Sequence, residues 1–268
     1  MLQLPVEIKN LTFTYRGSQE LLFNEAELTL RPGEVSILAG CNGSGKSTLL
    51  QLILGDLSPG QGEIRLFGCN PMGLNRIPEV GFVAEPLHFY SSPIPTKLTG
   101  VEVANWLKVI DGIEPDVFYS KIDELQLNRG VLKRCLASYS KGERQRFLLA
   151  VVLSRSPRLI LADEPMEGLD SQCRLLIGSQ FRKFAHDGGT VLWVSHHIGE
   201  TLFFADRYFT LEDKKIVERS SGRYSVDIKT EEQHSSVSLA SLMQLPTLAQ
   251  QRLENANQVS FVITQNKE

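Results

Sequence analysis

The chain has 268 residues, of which 42% are hydrophobic and 22% charged, so its composition is that of a globular protein and excludes wholesale disorder. The formal net charge is −3, from 28 Lys and Arg against 31 Asp and Glu, and nucleic acid is therefore not expected as a partner. The longest apolar run, 147–153, is far shorter than the roughly 18 residues of a membrane span. The first ten residues lack the basic start and long apolar core of a secretion signal. We therefore expect a cytosolic or peripheral protein.

The first 220 residues alternate between the apolar period of strands and that of helices. Residues 6–15, for example, alternate apolar and polar side chains, and the apolar run 35–39 is too short for a helix. Strands that alternate with helices predict a mostly parallel sheet that is covered on both faces. In chain order, the predicted strands are 6–15, 26–30, 35–39, 63–66, 80–84, 159–162 and 191–195, and the helices between or after them are 46–54, 171–185 and 198–205.

A stretch from about 86 to 140 interrupts this alternation and is predicted to be a mostly helical insert. It begins with three prolines and continues with Thr99, which is followed three residues later by Glu and so starts a capping box. Pro115 suits the first position of another helix. A second capping box starts at Ser140 and predicts the helix that follows the insert.

The pattern changes again after about residue 220. A linker-like Arg-Ser-Ser-Gly at 219–222 precedes alternating stretches at 224–228 and 259–264, with a helical pattern over 239–253 between them. We therefore predict two units: residues 1–220, which contain the insert, and a small C-terminal α+β appendage over 221–268.

The most specific motif is GCNGSGKS at 40–47, which fits G-x-x-x-x-G-K-[ST] between a predicted strand and a predicted helix. Its glycines allow the backbone to wrap a chain of phosphates, and the helix start adds partial positive charge. Lys46 is expected to reach the β- and γ-phosphates and Ser47 to bind Mg²⁺. The predicted nucleotide-binding residues of this loop are Gly40, Cys41, Asn42, Gly43, Ser44, Gly45, Lys46, Ser47 and Thr48.

A second motif is the apolar run 159–162 followed by Asp163 and Glu164. At the carboxyl end of a strand, Asp163 is placed to bind Mg²⁺ opposite the phosphate loop, and Glu164 to act as general base for a water molecule. Together the two motifs indicate a phosphate-loop NTPase. The segments that confer guanine specificity, N-K-x-D and D-x-x-G, are not found, and a small-molecule kinase remains open at this point.

Residues 139–143, Tyr-Ser-Lys-Gly-Glu, resemble the L-S-G-G-Q signature of the ATP-binding-cassette (ABC) ATPases and match it at Ser140 and Gly142. The resemblance extends over about 5–218 in motif order. It implies an α/β fold of the ABC type, with a mostly parallel core and an antiparallel N-terminal part. It also implies ATP and Mg²⁺ as ligands, and a homodimer or paired cassette in which Ser140 of one chain faces the γ-phosphate held by the other.

The other family elements follow in order. The resemblance assigns Tyr15 to stacking on adenine, Asp170 to a D-loop at the dimer interface, and His196 to the γ-phosphate and water. His197 falls where the family often has Asp and is expected to be a bystander. A metal site formed by the two histidines is a rival interpretation, which is disfavoured because adjacent side chains at a strand end point apart.

Two positions depart from the family pattern. Glu85 stands where a catalytic Gln is usual; its carboxylate is still expected to approach Mg²⁺ and water, but it adds negative charge there. Lys141 replaces a signature glycine, and the sequence does not decide whether its ammonium favours the phosphate or points to solvent.

The resemblance implies the ATP-hydrolysing subunit of a membrane transporter, of the exporter-type branch, on the cytoplasmic face of a membrane. Because the chain has no membrane span of its own, the transport role needs separate integral membrane permease subunits, which family members contact through the helical insert. The alternatives are a soluble ABC ATPase for assembly or repair, of the iron–sulfur scaffold type, and a nucleotide kinase outside the family.

Overall fold

The structure is a computed structural model of the whole chain. It describes residues 3–72, 79–84, 88–89, 92–196, 201–219, 224–230, 234–239 and 259–265.

Strands and helices alternate along the chain, and the bounds of all described elements follow. The strands are β1 (Val6–Phe13), β2 (Phe23–Leu30), β3 (Val35–Ala39), β4 (Gln61–Leu66), β5 (Val80–Val83), β6 (His88–Phe89), β7 (Ser92–Pro93), β8 (Leu159–Asp163), β9 (Thr190–Ser195), β10 (Arg207–Glu212), β11 (Lys215–Arg219), β12 (Tyr224–Thr230), β13 (His234–Leu239) and β14 (Val259–Gln265). The α-helices are α1 (Lys46–Leu54), α2 (Gly100–Asp111), α3 (Pro115–Glu124), α4 (Lys141–Ser154) and α5 (Ser171–His186), and short 3₁₀ helices lie at Arg129–Lys133, Leu136–Ser138 and Leu202–Phe204.

The central sheet has six strands in the order β11-β10-β3-β9-β8-β5. The five strands from β10 to β5 run parallel, and β11 is an antiparallel edge strand. In this register, Ala39 pairs with Ser195 of β9 and with Thr210 of β10, so the carboxyl ends of neighbouring strands meet at one edge. That edge is where ligands bind in sheets of this kind.

Both faces of the sheet are buried along β3, β9, β8 and β5, which explains why these four strands are nearly continuous apolar runs. Along β9, Val191 and Trp193 pack into one core with α4, α5 and the insert. Leu192 and Val194 point to the other core, which is shared with α1 and a second sheet. That second sheet is antiparallel, in the order β2-β1-β4. The predicted α/β class, with a mostly parallel core and an antiparallel N-terminal part, is confirmed.

Several predicted elements agree closely with the structure. β3 and α1 have the predicted bounds, and Gly55 ends α1 in the left-handed conformation at φ 80°. The capping boxes at Thr99 and Ser140 are both formed, and Pro115 is the first residue of α3. The region after Pro93 contains α2, α3 and two 3₁₀ helices, as expected of a helical insert.

Two predicted elements were wrong at their ends. The first strand stops at Phe13 rather than residue 15, because the Thr14 hydroxyl donates to the Glu20 carbonyl oxygen at 2.7 Å and closes a loop. Of the helix predicted over 198–205, Thr201 is helical, Leu202–Phe204 form a 3₁₀ turn, and residues 198–200 lie outside the described residues. The Asp206 N–H donates to the Val35 carbonyl oxygen at 2.8 Å, so the turn ends where the chain begins to pair with β3.

The hairpin of β10 and β11 was not predicted. Its two turn residues, Asp213 and Lys214, have φ of 49° and 65°, the left-handed values of a two-residue hairpin turn. Asp-Lys is not one of the glycine-containing pairs that announce such a turn, so the sequence signal was weak.

The C-terminal strands form a separate antiparallel sheet in the order β13-β12-β14. The predicted strands near 224–228 and 259–264 are confirmed as β12 and β14, whereas β13 was not predicted. The helix predicted over 239–253 begins at the last residue of β13 and otherwise lies outside the described residues. The division into units 1–220 and 221–268 stays a prediction.

No helix in the described ranges is both long enough and apolar enough to cross a bilayer.

Candidate active site

The phosphate-loop motif forms a tight turn between β3 and α1. Gly45 caps α1 with φ 107°, and a Cβ placed on it would lie 2.9 Å from the Leu22 side chain, so glycine is needed for both conformation and space. Lys46 is only 7% exposed. Its Nζ donates to the carbonyl oxygens of Gly40 and Cys41 at 2.8 and 3.0 Å, which fixes the ammonium inside the loop.

This loop forms one wall of a cleft of about 390 Å³ at the carboxyl edge of the central sheet. Residues predicted from four separate parts of the sequence meet there. The lining residues are Tyr15, Leu22, Asn42, Gly43, Gly45, Lys46, Ser47, Thr48, Asp163, Glu164, Glu167 and His196.

The cleft is rich in carboxylates. Burial raises the pKa of Asp163 above its ordinary value of 3.8, opposed by a hydrogen bond with the Ser47 side chain, and the negative charge of Glu164 raises it further. Among the described lining residues, Lys46 is the one Lys or Arg beside three acids. The side chains of the cleft therefore supply less positive charge than is needed to neutralise a bound polyphosphate.

Glu164 sits directly after β8 in a left-handed conformation, with φ 48°. Its N–H donates to the Val194 carbonyl oxygen at 3.0 Å, which ties the residue to β9. Its Oε1 lies 2.7 Å from Nδ1 of His196, the residue that follows β9. A non-glycine residue in this conformation is held by its surroundings, and such residues cluster at functional sites.

Tyr15 lies at the rim of the cleft and is 46% exposed. Its hydroxyl is 2.7 Å from Oγ1 of Thr48, and its ring meets Phe13 edge to face with centroids 5.1 Å apart. The ring is thus held at two points and leaves an aromatic surface beside the phosphate loop.

The signature residues do not line this cleft. Ser140 is the N-cap of α4; its Oγ accepts from the Glu143 N–H at 3.2 Å, and Oε2 of Glu143 accepts from the Ser140 N–H at 2.7 Å. Gly142 packs near Cys173, and Asp170 caps α5 by accepting the N–H of Cys173 at 2.8 Å. Ser140, Gly142 and Asp170 therefore belong to a second surface, whereas Gly40, Cys41 and Ser44 belong to the loop without lining its cleft.

Two predicted positions lie outside the described residues: Glu85, which was expected in catalysis and at Mg²⁺, and the bystander His197. In the described ranges, no group of three or more His, Cys, Asp or Glu side chains is arranged to hold a metal ion.

Two lining residues, Leu22 and Glu167, were not predicted. Glu167 follows Glu164 by three residues, in the segment that resembles a D-loop, so the sequence could have identified it as a residue of the site. Leu22 reaches the cleft from the segment before β2, and no motif marks it.

Comparisons with known proteins agree with this geometry. A family model described as ABC transporter matches residues 23–167, more than half of the chain. ABC transporter G family member 20 of Dictyostelium discoideum is 32% identical over 234 residues, which cover 84% of this chain and 30% of that protein. Bacitracin transport ATP-binding protein BcrA of Enterococcus faecalis is 29% identical over 201 residues, 74% of this chain and 63% of that protein. The matched regions thus span less than two thirds of either relative.

The fold also has solved counterparts. A dimeric ATP-binding cassette in a post-hydrolysis state, bound to ADP and Pi, superposes with a TM-score of 0.69 at 27% identity and covers 80% of this chain and 97% of the other. With the family model, the phosphate-loop cleft and the separate signature surface in agreement, this chain belongs to the ABC transporter family as one of its ATP-binding cassettes.

Proposed function

We propose that this chain is the ATP-hydrolysing subunit of a membrane transporter, and that two cassettes close on ATP to form each complete site. One observation supports this most strongly: the cleft unites the phosphate loop with Asp163 and the Glu164–His196 pair, while Ser140 begins a helix on another surface. Each cleft then needs the Ser140 surface of a second chain, which is a head-to-tail arrangement.

In this proposal the phosphate loop binds the triphosphate by its backbone N–H groups, by the start of α1 and by Lys46. Two carbonyl oxygens already hold the buried Lys46 ammonium in the loop. It can therefore balance phosphate charge without a large movement of the side chain. Tyr15 offers its exposed ring to the adenine.

The residues present also suit Mg²⁺. The Ser47 hydroxyl and the Asp163 carboxylate are hydrogen-bonded to each other and are the hard oxygen ligands that this ion prefers, and Mg²⁺ at phosphate sites commonly uses one or two carboxylates. The raised pKa of Asp163 supports this proposal, because added positive charge would stabilise its carboxylate. When bound, the ion supplies neutralisation of charge on the phosphate oxygens.

Glu164 and His196 are proposed to act on the attacking water. Glu164 accepts the proton of the water as it attacks the γ-phosphate, and His196 holds the carboxylate through the 2.7 Å contact between Nδ1 and Oε1. Ser140 of the second chain adds a donor on the far side of the γ-phosphate.

The test replaces Glu164 with Gln, which keeps the size of the side chain but removes the base. Glu164→Gln should bind ATP, form a stable ATP-dependent dimer in gel filtration, and lose turnover by at least about a hundredfold in a phosphate-release assay. Glu27→Gln, at an exposed position of β2, is the matched control and should behave as wild type. Ordinary turnover by Glu164→Gln would remove Glu164 from the role of base.

We further propose that a permease docks on the helical insert. The outer faces of α2 and α3 expose five large apolar side chains: Val101, Trp106, Val109, Ile110 and Val117. Val109 is 84% exposed. A cluster of exposed apolar side chains of this kind is characteristic of an interaction surface. This arrangement would place the cassette on the cytoplasmic face of a membrane.

Val109→Glu should leave ATP hydrolysis by the isolated chain intact but abolish co-purification with the permease, because a carboxylate would be buried at the interface. Val217→Glu, an exposed apolar position on β11, serves as control and should still co-purify. Failure of the wild-type chain to associate with any multispan protein would favour the soluble assembly ATPase instead.

Export is the direction we propose, supported by the resemblance of Glu85 and of Ser140-Lys-Gly to an exporter-type branch. In inverted vesicles, where the cassettes face outward, ATP should drive the cargo of the complex into the vesicle interior. ATP-dependent loss of preloaded cargo would indicate import.

A further inference from the structure

Lys141 is the first residue of α4 and stands where the resembled signature has glycine. The sequence left two orientations open for its side chain, toward phosphate or toward solvent. The structure has a third: the side chain lies along the loop that connects β8 to α5, next to Gly168.

The fit between Lys141 and Gly168 is close. Gly168 has φ +66°, and a Cβ placed on it would lie 3.1 Å from Nζ, 3.3 Å from Cδ and 3.5 Å from Cε of Lys141. The lysine stem therefore occupies the space into which a side chain at 168 would project. If residue 141 were glycine like residue 168, the loop at Gly168 would lose the side-chain atoms of α4 against which it packs.

A second contact joins the same two elements. A Cβ on Gly142 would be 3.5 Å from Sγ of Cys173, which is buried at the start of α5. The N–H of Cys173 in turn donates to Asp170 at the end of the loop. The starts of α4 and α5 are thus packed together, and Lys141 extends this packing back along the loop toward the cleft.

The other end of the loop is the hydrolytic pair. Its turns are closed by the Glu167 N–H, which donates to the Glu164 carbonyl oxygen at 3.1 Å, and by the Leu169 N–H, which donates to Met166 at 3.3 Å. Met166 and Leu169 are buried, so the loop is anchored from below. Glu164 is four residues from Gly168 in this anchored loop, so a displacement of Gly168 would also shift Glu164.

We propose that Lys141 is a positioning residue, whose stem holds the loop between Glu164 and Asp170 against the start of α4. It thereby links the Ser140 surface, which serves one ATP, to the Glu164–His196 pair, which serves the other. This inference rests on the proposed function, since it concerns hydrolysis at paired sites.

The position of Lys141 predicts a specific kinetic pattern. Because Lys141 does not line the cleft, its loss should leave ATP affinity within about twofold, whereas a misplaced loop should lower kcat by about tenfold. A conservative replacement that keeps the unbranched stem should restore most of the rate.

The experiment compares three variants in steady-state ATP hydrolysis and in binding of a fluorescent ATP analogue. Lys141→Gly and Lys141→Ala should each show the drop in kcat, and the alanine variant separates loss of the stem from loss of helix propensity. Lys141→Met should recover to within about twofold of wild type, since it retains most of the packing atoms. Lys133→Met, at an exposed lysine of the insert, is the matched control.

Two outcomes would overturn the inference: wild-type kcat in Lys141→Gly, or a kcat for Lys141→Met as low as that of Lys141→Gly, which would indicate that the ammonium rather than the stem is required. Adding Lys141→Met to Glu164→Gln distinguishes the same alternatives, because a phosphate contact predicts a weaker dimer and a packing role predicts an unchanged one. If the wild-type chain does not hydrolyse ATP and the Glu164→Gln variant does not form a dimer, the proposed function itself is contradicted. A change confined to the Lys141 variants would contradict only the positioning role of Lys141.

Discussion

Single residues of the cleft are held in arrangements that are unfavourable without a ligand. Asp163 is half-buried beside two other carboxylates, and its pKa is raised chiefly by this burial. Glu164 has φ 48°, which costs conformational energy for a residue with a Cβ. A cation bound beside Asp163 would offset the electrostatic cost, so the residues of the cleft are arranged for a ligand rather than for stability.

Replacement of Asp163 with Asn should stabilise the ligand-free chain at neutral pH. Because the folded-state pKa lies above the ordinary 3.8, protonated Asp163 favours folding below that value, and this contribution is lost as the pH rises through the raised folded-state pKa. Urea unfolding should therefore show a higher midpoint for Asp163→Asn at pH 7, with the difference shrinking below pH 3.8.

Asp123→Asn is the control of opposite sign, because the hydrogen bond from Arg129 lowers the pKa of Asp123. This variant should lose stability at neutral pH, and the loss should diminish as the pH falls through the lowered pKa. An Asp163→Asn midpoint below that of wild type at pH 7 would contradict the burial argument.

The proposed role of the Tyr15 ring at the adenine can be tested separately from the contact of its hydroxyl with Thr48. Tyr15→Ala removes the proposed stacking surface and should weaken ATP binding by about tenfold or more. Tyr15→Phe removes only the bond to Thr48 and should cost at most about threefold. Calorimetry with ATP measures both, and inorganic tripolyphosphate, which has no base, should bind all three forms equally. Weaker tripolyphosphate binding by Tyr15→Ala would place the ring at the phosphates instead.

At the scale of elements, identical capping boxes begin α2 and α4. Thr99 and Ser140 each accept the N–H three residues on, at 3.2 Å in both helices. Only the α4 box lies on the signature surface, so the pair allows helix stability to be distinguished from catalysis.

Thr99→Ala and Ser140→Ala should each cost about 1 kcal/mol of unfolding free energy. Only Ser140→Ala should also abolish ATP hydrolysis, since in the proposed pairing it removes a donor to the second chain's nucleotide. Thermal unfolding and phosphate release, measured on the same preparations, check the two effects. If both variants lost hydrolysis equally, Ser140 would have no role beyond capping α4.

At the scale of the whole molecule, the two surfaces of one chain make a complementation experiment possible. Lys46→Ala disables a chain's own cleft, and Ser140→Ala disables what it offers to its partner. Each variant alone should be inactive, whereas an equal mixture should recover about one quarter of the wild-type rate, because half of the random dimers contain one intact site of two. A mixture as inactive as its components would contradict the paired arrangement.

Much of this fold was predictable from short-range patterns. β3, α1 and both capping boxes were identified because their signals, an apolar run, a C-terminal glycine and a Ser or Thr with Glu, act within a few residues. The hairpin at Asp213 and Lys214 and the strand β13 were missed because strand pairing depends on a distant or weakly marked partner. The helix predicted over 198–205 ends in a 3₁₀ turn at 202–204, because the following segment already pairs with the start of β3.

The sequence by itself determined the chemistry of the motifs: which loop binds phosphate, which acids follow a buried strand, and which residues cap helices. The tertiary structure decided which of them meet. Glu164 and His196 are 32 positions apart and touch because β8 and β9 pair in parallel register. Ser140 stays apart from the cleft, and Lys141 lies on Gly168, because the packing of α4 and α5 sets distances that no local pattern specifies.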